Sequence, residues 1–325
     1  MDPEQRYERR KVEVEQYLHN FINEHKPRTL YKPAKYVLAA GGKRIRPVIT
    51  LLACEAVGGD VNNALHAGAG IEILHNFTLV HDDIMDHAET RRGRLTVHKK
   101  WDVNIAILAG DALLALAYRA LLRTQALRIQ EISKVFTEGV VMVCEGQALD
   151  KEFEIRHRVH VNDYLLMIEK KTGKLVSVAA QVGALIGNAQ PVYLEALKRY
   201  GEYVGRAFQI QDDLLDIVAD EKEFGKMIGS DLVEGKKTFL FLEALRRAKG
   251  EQKKMLQRVF INGGVPRKQV TAFRRIYEET GAIDSAKKRI EEDITEAKNQ
   301  LSTLPVSKAR ETLRWLTDKL HNRTY

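Results

Sequence analysis

The chain has 325 residues, 44% of them hydrophobic and 30% charged, which excludes whole-chain disorder and leaves enough apolar material for a large core. Its 52 Lys and Arg against 44 Asp and Glu give a net charge of +8, a surplus that suits an anionic ligand but is too modest for this length to indicate nucleic acid. Cys54 and Cys144 are the only cysteines and lie 90 positions apart, so neither a disulfide framework nor a zinc module is expected. The charged start MDPEQRYERR does not read as a secretory signal, and no unbroken run of about 18 apolar residues suggests a membrane span. The expectation is a cytoplasmic protein with no span and no nucleic-acid partner.

Proline placement predicts long helices. None falls between Pro47 and Pro191, or between Pro191 and Pro266, and proline costs about 3 kcal/mol inside a helix. Val14, Leu18, Phe21 and Ile22 mark one face of a first helix. Ile71, Leu74, Phe77 and Thr78 repeat at intervals of three and four. Leu113, Leu116 and Leu121 fall in an apolar segment over 103–123, and 175–187, LVSVAAQVGALIG, is apolar nearly all round, as a central helix would be. No alternating segment is long enough for a strand, the one Asn-Gly (262–263) has no alternating runs beside it to join as a hairpin, and no repeat occurs. The predicted fold is all-α, about ten to thirteen helices in a single domain over 1–325. Two loops stand out: 87–95, HAETRRGRL, and the glycine- and lysine-containing 220–237.

Each loop follows an acidic cluster. In Asp82-Asp83-Ile84-Met85-Asp86 the outer carboxylates are four apart, which on a helix returns them to nearly one face about 6 Å along the axis. They repel unless cations sit between them, and they can bracket hard divalent ions. Asp83 points elsewhere and suits a supporting role. For this cluster alone a solvated acidic face is an equal reading. The same spacing recurs in Asp212-Asp213-Leu214-Leu215-Asp216, after Phe208-Gln209-Ile210-Gln211 in an apolar helix, where unpaired carboxylates are costly. Two such arrangements are hard to explain as surface decoration.

Basic residues complete the pattern. Lys43 and Arg46 in GGKRIRP are three apart, Arg91 and Arg92 follow the first acidic cluster, and Lys226 and Lys236 lie in the loop after the second. Arginine grips phosphate as a fork and lysine supplies a point charge. One diphosphate can bind the carboxylate pairs through metal ions, and a second can sit on Lys43, Arg46 and Arg92 without metal. His75, seven residues before Asp82, shares the acidic face. His81, His87, Gln147 and Asp150 serve support or packing equally well, and the other histidines have no evident partner.

Assembled, these residues resemble the all-trans short-chain isoprenyl diphosphate synthases over about 30–320. The motifs are GGKRIRP at 41–47, HDDIMD with RRG at 81–93, KT at 171–172, FQIQDDLLD at 208–216 and GKMIGSDLVEGKKT at 225–238. The resemblance implies a helical barrel around a central cavity, usually a homodimer. It implies that Asp82 and Asp86 bind two Mg²⁺ and that Asp212 and Asp216 serve a third, with Mn²⁺ as the expected substitute. It assigns Arg91, Lys171, Lys226 and Lys236 to the diphosphate of an allylic substrate (dimethylallyl, geranyl or farnesyl), and Lys43, Arg46, His75 and Arg92 to isopentenyl diphosphate. Thr172 and Gln209 would face the developing allylic cation. Met227 and Leu240 depart from the usual pattern, the latter standing where proline is frequent.

Ionisation of the allylic diphosphate, attack by the double bond of isopentenyl diphosphate and proton removal by the departed diphosphate are the implied steps, with water kept out. Phe77 and Thr78 lie five and four residues before Asp82, where a growing tail must pass. A bulky Phe77 as floor and a small Thr78 point to geranylgeranyl diphosphate, with farnesyl diphosphate or a C15/C20 mixture as the near alternative. A terpene cyclase would replace the second acidic motif and would not need the Lys43, Arg46 and Arg92 cluster. An inactive regulatory subunit would be expected to have lost a ligand.

Overall fold

A computed structural model describes residues 1–22, 26–156, 158–219 and 228–321. Its described residues form helices α1 (Pro3–Phe21), α2 (Arg28–Leu38), α3 (Ile45–Ala56), α4 (Val61–Met85), α5 (Val97–Lys100), α6 (Val103–Leu121), α7 (Ile129–Ile155) and α8 (Val161–Ile168). A π-helical turn, Glu169–Gly173, leads into α9 (Lys174–Ile186) and α10 (Pro191–Val218). The one-turn α11 (Ser230–Val233) follows, then α12 (Phe239–Arg247), α13 (Gly250–Asn262), a 3₁₀ turn at Arg267–Gln269, α14 (Val270–Glu279), α15 (Ala282–Ser302) and α16 (Lys308–His321). The fold is all-α as expected, and one-turn pieces such as α5 and α11 take the count past thirteen.

The chain divides into two compact units. Met1–Val140, Val178–Lys198 and Leu301–Trp315 make the first; Val141–Ser177, Arg199–Gln300 and Leu316–Tyr325 make the second.

In the first unit α4 packs along α6 and α3. Asp60 caps the start of α4 by accepting from the Asn62 amide at 2.9 Å. Ile71, Ile73 and Leu74 on α4, Ile49, Leu51 and Leu52 on α3, and Leu113 on α6 are fully buried. Each such aliphatic side chain contributes about 1.5–3 kcal/mol by leaving water. The face of α1 read from sequence is buried at Val14, Leu18, Phe21 and Ile22, as expected. By length and composition α6 would serve as a membrane span, with mean hydropathy 1.4, although Asp111 and Arg119 interrupt it. Its inner face, Ala106, Ala109, Gly110, Leu113, Leu116 and Ala117, is buried in the core of the unit.

One departure lies between α4 and α5. Thr90–Arg91 (β1) pairs antiparallel with Arg94–Leu95 (β2) in a two-residue hairpin. Its turn is Arg92-Gly93, both at positive φ (53° and 70°), the backbone a tight hairpin of this twist requires. The expectation of a plain loop rested on the lack of an Asn-Gly or Asp-Gly signal within 87–95; here an arginine takes the left-handed position at some steric cost.

The second unit is built on Tyr164, Met167, Ile168, Ile210, Leu214, Phe239, Phe241, Phe273 and Tyr277, all buried together. Thr238 caps α12, and Leu240 is fully buried in its first turn. A proline at that place would be tolerated because first-turn amides have no intrahelical acceptor, so Leu240 keeps the helix start by a different route.

Candidate active site

Asp82 lies in the last turn of α4, and Asp86 is the residue that ends it, its amide donating to the Asp82 carbonyl at 2.8 Å. Asp82 is half-buried and Asp86 exposed. The C-terminal end of a helix carries partial negative charge, so two carboxylates placed there are unfavourable until cations join them. Asp83 turns inward, 5% exposed, and accepts from Arg91 Nε at 2.6 Å. Burial raises the Asp83 carboxyl above the usual range and Arg91 opposes that rise. Arg91 is thereby anchored to the end of α4.

The basic group of the same unit starts at Gly41 and Gly42, both at positive φ. A Cβ at Gly42 would lie 3.1 Å from the Arg92 guanidinium carbon, so glycine lets that side chain rest on the backbone and donate to the Gly41 carbonyl. Arg46 reaches His75 Nε2 at 3.4 Å. Burial, then Arg46, Arg92, Arg91 and Arg44, hold the His75 imidazole well below its ordinary pKa, so it is neutral at pH 7. Lys43, three residues before Arg46, is exposed. Arg46, His75 and Arg92 therefore come together as the sequence suggested. Arg44, the remaining cation of GGKRIRP, turns the other way. It is 2% exposed and binds Glu15 at 2.8 Å, Glu72 at 2.7 Å and the Leu38 carbonyl at 2.7 Å, a structural anchor for the start of α3.

One turn before Asp82, Phe77 is buried, and the half-buried Thr78 donates its hydroxyl to the His75 carbonyl at 2.8 Å. His81 packs edge-on against Phe77, ring centroids 4.8 Å apart, and against Gly110 of α6, where a Cβ would clash with the imidazole. For His81 the structure favours the packing role.

In the second unit the π turn breaks the helical register at Lys171 and Thr172, a device that re-aims side chains. Lys171 Nζ donates to Asp150 Oδ2 at 2.6 Å. The Thr172 hydroxyl donates to Gln209 Oε1 at 2.9 Å, Gln209 Nε2 donates to Asp213 Oδ1 at 3.0 Å, and the Tyr164 hydroxyl donates to Asp213 Oδ2 at 2.5 Å. Asp216 accepts from the Ser230 and Asp231 amides, each at 3.2 Å. Lys236 Nζ lies 3.4 Å from Asp231 and 2.9 Å from Glu234. A cavity of about 110 Å³ is lined by Asp150, Lys171, Thr172, Gln209, Asp213, Asp231 and Lys236. Burial, then Asp231, raises Asp216 to about 6, and burial raises Asp213 and Asp231 as well. Asp212 is half-buried. Lys226 and Met227 fall outside the described residues, as does the part of the 220–237 loop before 228.

The donor set fits magnesium. Each acidic motif offers hard carboxylate oxygens, and burial raises the Asp216 carboxyl of the second. Among the described residues no three His, Cys, Asp or Glu side chains converge to hold a metal by themselves. Mg²⁺ does not ask for that, since it takes one or two carboxylates and completes its shell with water and substrate phosphate. Tyr164, Asp231 and Arg44 belong to these networks without any mark in the sequence pattern, and Asp150, equally open to support or packing by sequence, pairs with Lys171. No spacing rule could expose the first three, because each depends on a partner at least 15 positions away.

The polyprenyl synthetase family model matches residues 27–280. A short chain isoprenyl diphosphate synthase of Methanothermobacter thermautotrophicus is 42% identical over 298 residues, 91% of each chain. A geranylgeranyl diphosphate synthase of Methanosarcina mazei is 39% identical over 302 residues, 92% of this chain and 91% of that one. The crystal structure of a geranylgeranyl pyrophosphate synthetase from Pyrococcus horikoshii superposes with a TM-score of 0.94 at 40% identity, covering 99% of both chains. With this coverage, and with the motif residues placed as described, the chain belongs to the polyprenyl synthetase family of prenyltransferases.

Proposed function

We propose that the protein elongates an all-trans prenyl diphosphate by head-to-tail condensation with isopentenyl diphosphate, with geranylgeranyl diphosphate as product. The grouping of Arg46, His75 and Arg92, with exposed Lys43 three residues before Arg46, carries the reading. A cationic cluster distinct from the carboxylate pairs suits a second diphosphate bound without metal, which a cyclase with one diphosphate substrate would not need.

In this reading Asp82 and Asp86, with Asp212 and Asp216, hold about three Mg²⁺ per site. When bound, the ions neutralise the allylic diphosphate and make it a leaving group. Arg91, Lys171, Lys226 and Lys236 bind its remaining oxygens. Thr172 and Gln209 turn their oxygen dipoles toward the carbon that becomes cationic. Lys43, Arg46, His75 and Arg92 hold isopentenyl diphosphate so that its double bond meets that carbon. Neutral His75 donates one ring N–H to a phosphate oxygen and adds no charge of its own. The departed diphosphate takes the proton. Phe77 forms the floor of the tail channel and Thr78 leaves it open.

The reading includes one synthetase domain over 1–325, in keeping with the family match. It also includes a homodimer, because α6 exposes Val103, Ile107, Leu108 and Ala115 around the charged Asp111, a face that a second copy would cover. A cytoplasmic location agrees with two free cysteines. Incubating purified protein with Mg²⁺, dimethylallyl diphosphate and isopentenyl diphosphate, then measuring product length, tests the proposal. A C20 product is expected, and no condensation would overturn it.

A further inference from the structure

The hairpin that carries Arg91 and Arg92 is gripped by one aromatic side chain. Tyr36, near the end of α2, donates its hydroxyl to the Leu95 carbonyl of β2 at 2.9 Å. Its ring receives two cations: the Arg94 guanidinium 4.1 Å and the Lys100 ammonium 4.2 Å from the centroid. Trp101 meets the same ring edge-on at 5.2 Å, with planes at 80°. Arg94 belongs to β2, and Lys100 and Trp101 follow it, so one side chain contacts both the hairpin and the segment that returns from it.

A cavity of about 30 Å³, room for about one water, is lined by Tyr36, Asn76, Asp83, Arg91 and Arg92 among others. Asn76 is fully buried at its edge, and its Oδ1 has no hydrogen-bond partner among the described residues. The turn residue Arg92 sits at a strained positive φ. Isolated two-residue hairpins are marginal in water, so this one depends on contacts with the surrounding chain. It is held at β1 by Arg91 on Asp83, at the turn by Arg92 on the Gly41 carbonyl, at its root, where the Thr96 hydroxyl donates to the Ala88 carbonyl at 2.8 Å, and at β2 by Tyr36.

We infer that Tyr36 is a positioning residue for diphosphate recognition: its ring and hydroxyl clamp the 90–95 hairpin and so fix where Arg92 presents its guanidinium. The functional half rests on the assignment of Arg92 to isopentenyl diphosphate; the clamp itself does not.

Two measurements test the halves separately. Trypsin cuts after Arg91, Arg92 and Arg94 only when the hairpin opens. In Tyr36→Ala, cleavage within 90–95 is expected to accelerate about tenfold, the loss expected for two cation–π contacts. The same variant is expected to raise KM for isopentenyl diphosphate by about tenfold, with kcat per folded molecule within about threefold of wild type. Tyr36→Phe keeps the ring and is expected to restore most of both. Arg94→Gln removes one cation from the ring, leaves α2 intact and is expected to give an intermediate effect, which covers the case of Tyr36→Ala failing to fold. Unchanged cleavage in Tyr36→Ala and Arg94→Gln would overturn the clamp. Faster cleavage with an unchanged KM, while Arg92→Ala raises it, would overturn its role in recognition. An unchanged KM in Arg92→Ala would overturn the assignment beneath it.

Discussion

The Thr172 hydroxyl donates to Gln209 Oε1 at 2.9 Å, and the Gln209 amide nitrogen is in turn committed to Asp213 at 3.0 Å. The order of donors fixes which way each dipole points. With its proton spent on Gln209, the Thr172 oxygen has lone pairs to offer, and with its nitrogen spent on Asp213, Gln209 presents its carbonyl side. Gln209→Leu should lower kcat by about a hundredfold, the usual cost of one preorganised electrostatic group, and change KM for either substrate little. Steady-state kinetics separate this from a binding defect, which would move KM instead.

Asp82→Ala should reduce turnover by at least about a hundredfold and raise the Mg²⁺ concentration needed for half-maximal rate, since each 1.36 kcal/mol lost is tenfold. Rate measured across a magnesium series is the check. Near-normal turnover at ordinary magnesium would remove Asp82 from metal binding.

Neutral His75 makes stability pH-dependent in a stated direction. Its folded pKa lies well below the unfolded value of about 6.5, so below pH 6.5 the unfolded chain takes up a proton that the folded one refuses. Its contribution is present above that pH and declines as pH falls through it. Asp216, raised to about 6, acts oppositely, binding its proton more tightly when folded and losing that contribution as pH rises from about 4 to 6. Comparing urea midpoints of wild type and His75→Gln isolates the histidine: the gap should shift against wild type between pH 7.5 and 5.5. A constant gap would mean that His75 already titrates normally.

Lys237, 9% exposed, extends into the C-terminal end of α7. Its ammonium donates to the carbonyls of Phe153, Glu154 and Arg156. These are among the acceptors a helix end leaves unmatched, and a buried cation satisfies them. Lys237→Met should destabilise the protein by about 2–3 kcal/mol, read from urea unfolding, because the carbonyls stay buried without a donor. Equal stability would show that water replaces the ammonium there.

Phe77→Ser should lengthen products beyond C20 and Thr78→Phe should shorten them toward C15. Chromatography of the dephosphorylated products decides it. Unchanged lengths in both would defeat the floor assignment.

Much of this was legible in the sequence because it was local. Asp82 and Asp86 are four apart, and helical geometry alone gives their spacing; the buried face of α1 follows from the same periodicity, whereas α4 is buried on every side from Ala67 to Leu74. What stayed hidden depended on backbone states or distant partners. Arg92 in a left-handed turn carries no compositional mark, since arginine is not the residue such a turn prefers. The π turn at Glu169–Gly173 reads as ordinary helix. Lys43, Arg44 and Arg46 look alike in a string of letters, yet Arg44 is buried on Glu15 and Glu72, 29 and 28 positions away.

The notch at Gly110 has a corollary. Only a hydrogen there leaves space for the His81 imidazole, which braces the edge of Phe77. A methyl group at 110 would displace that ring, so under the proposed floor role of Phe77 a change on α6 would alter tail length with every residue of the aspartate-bearing helix untouched.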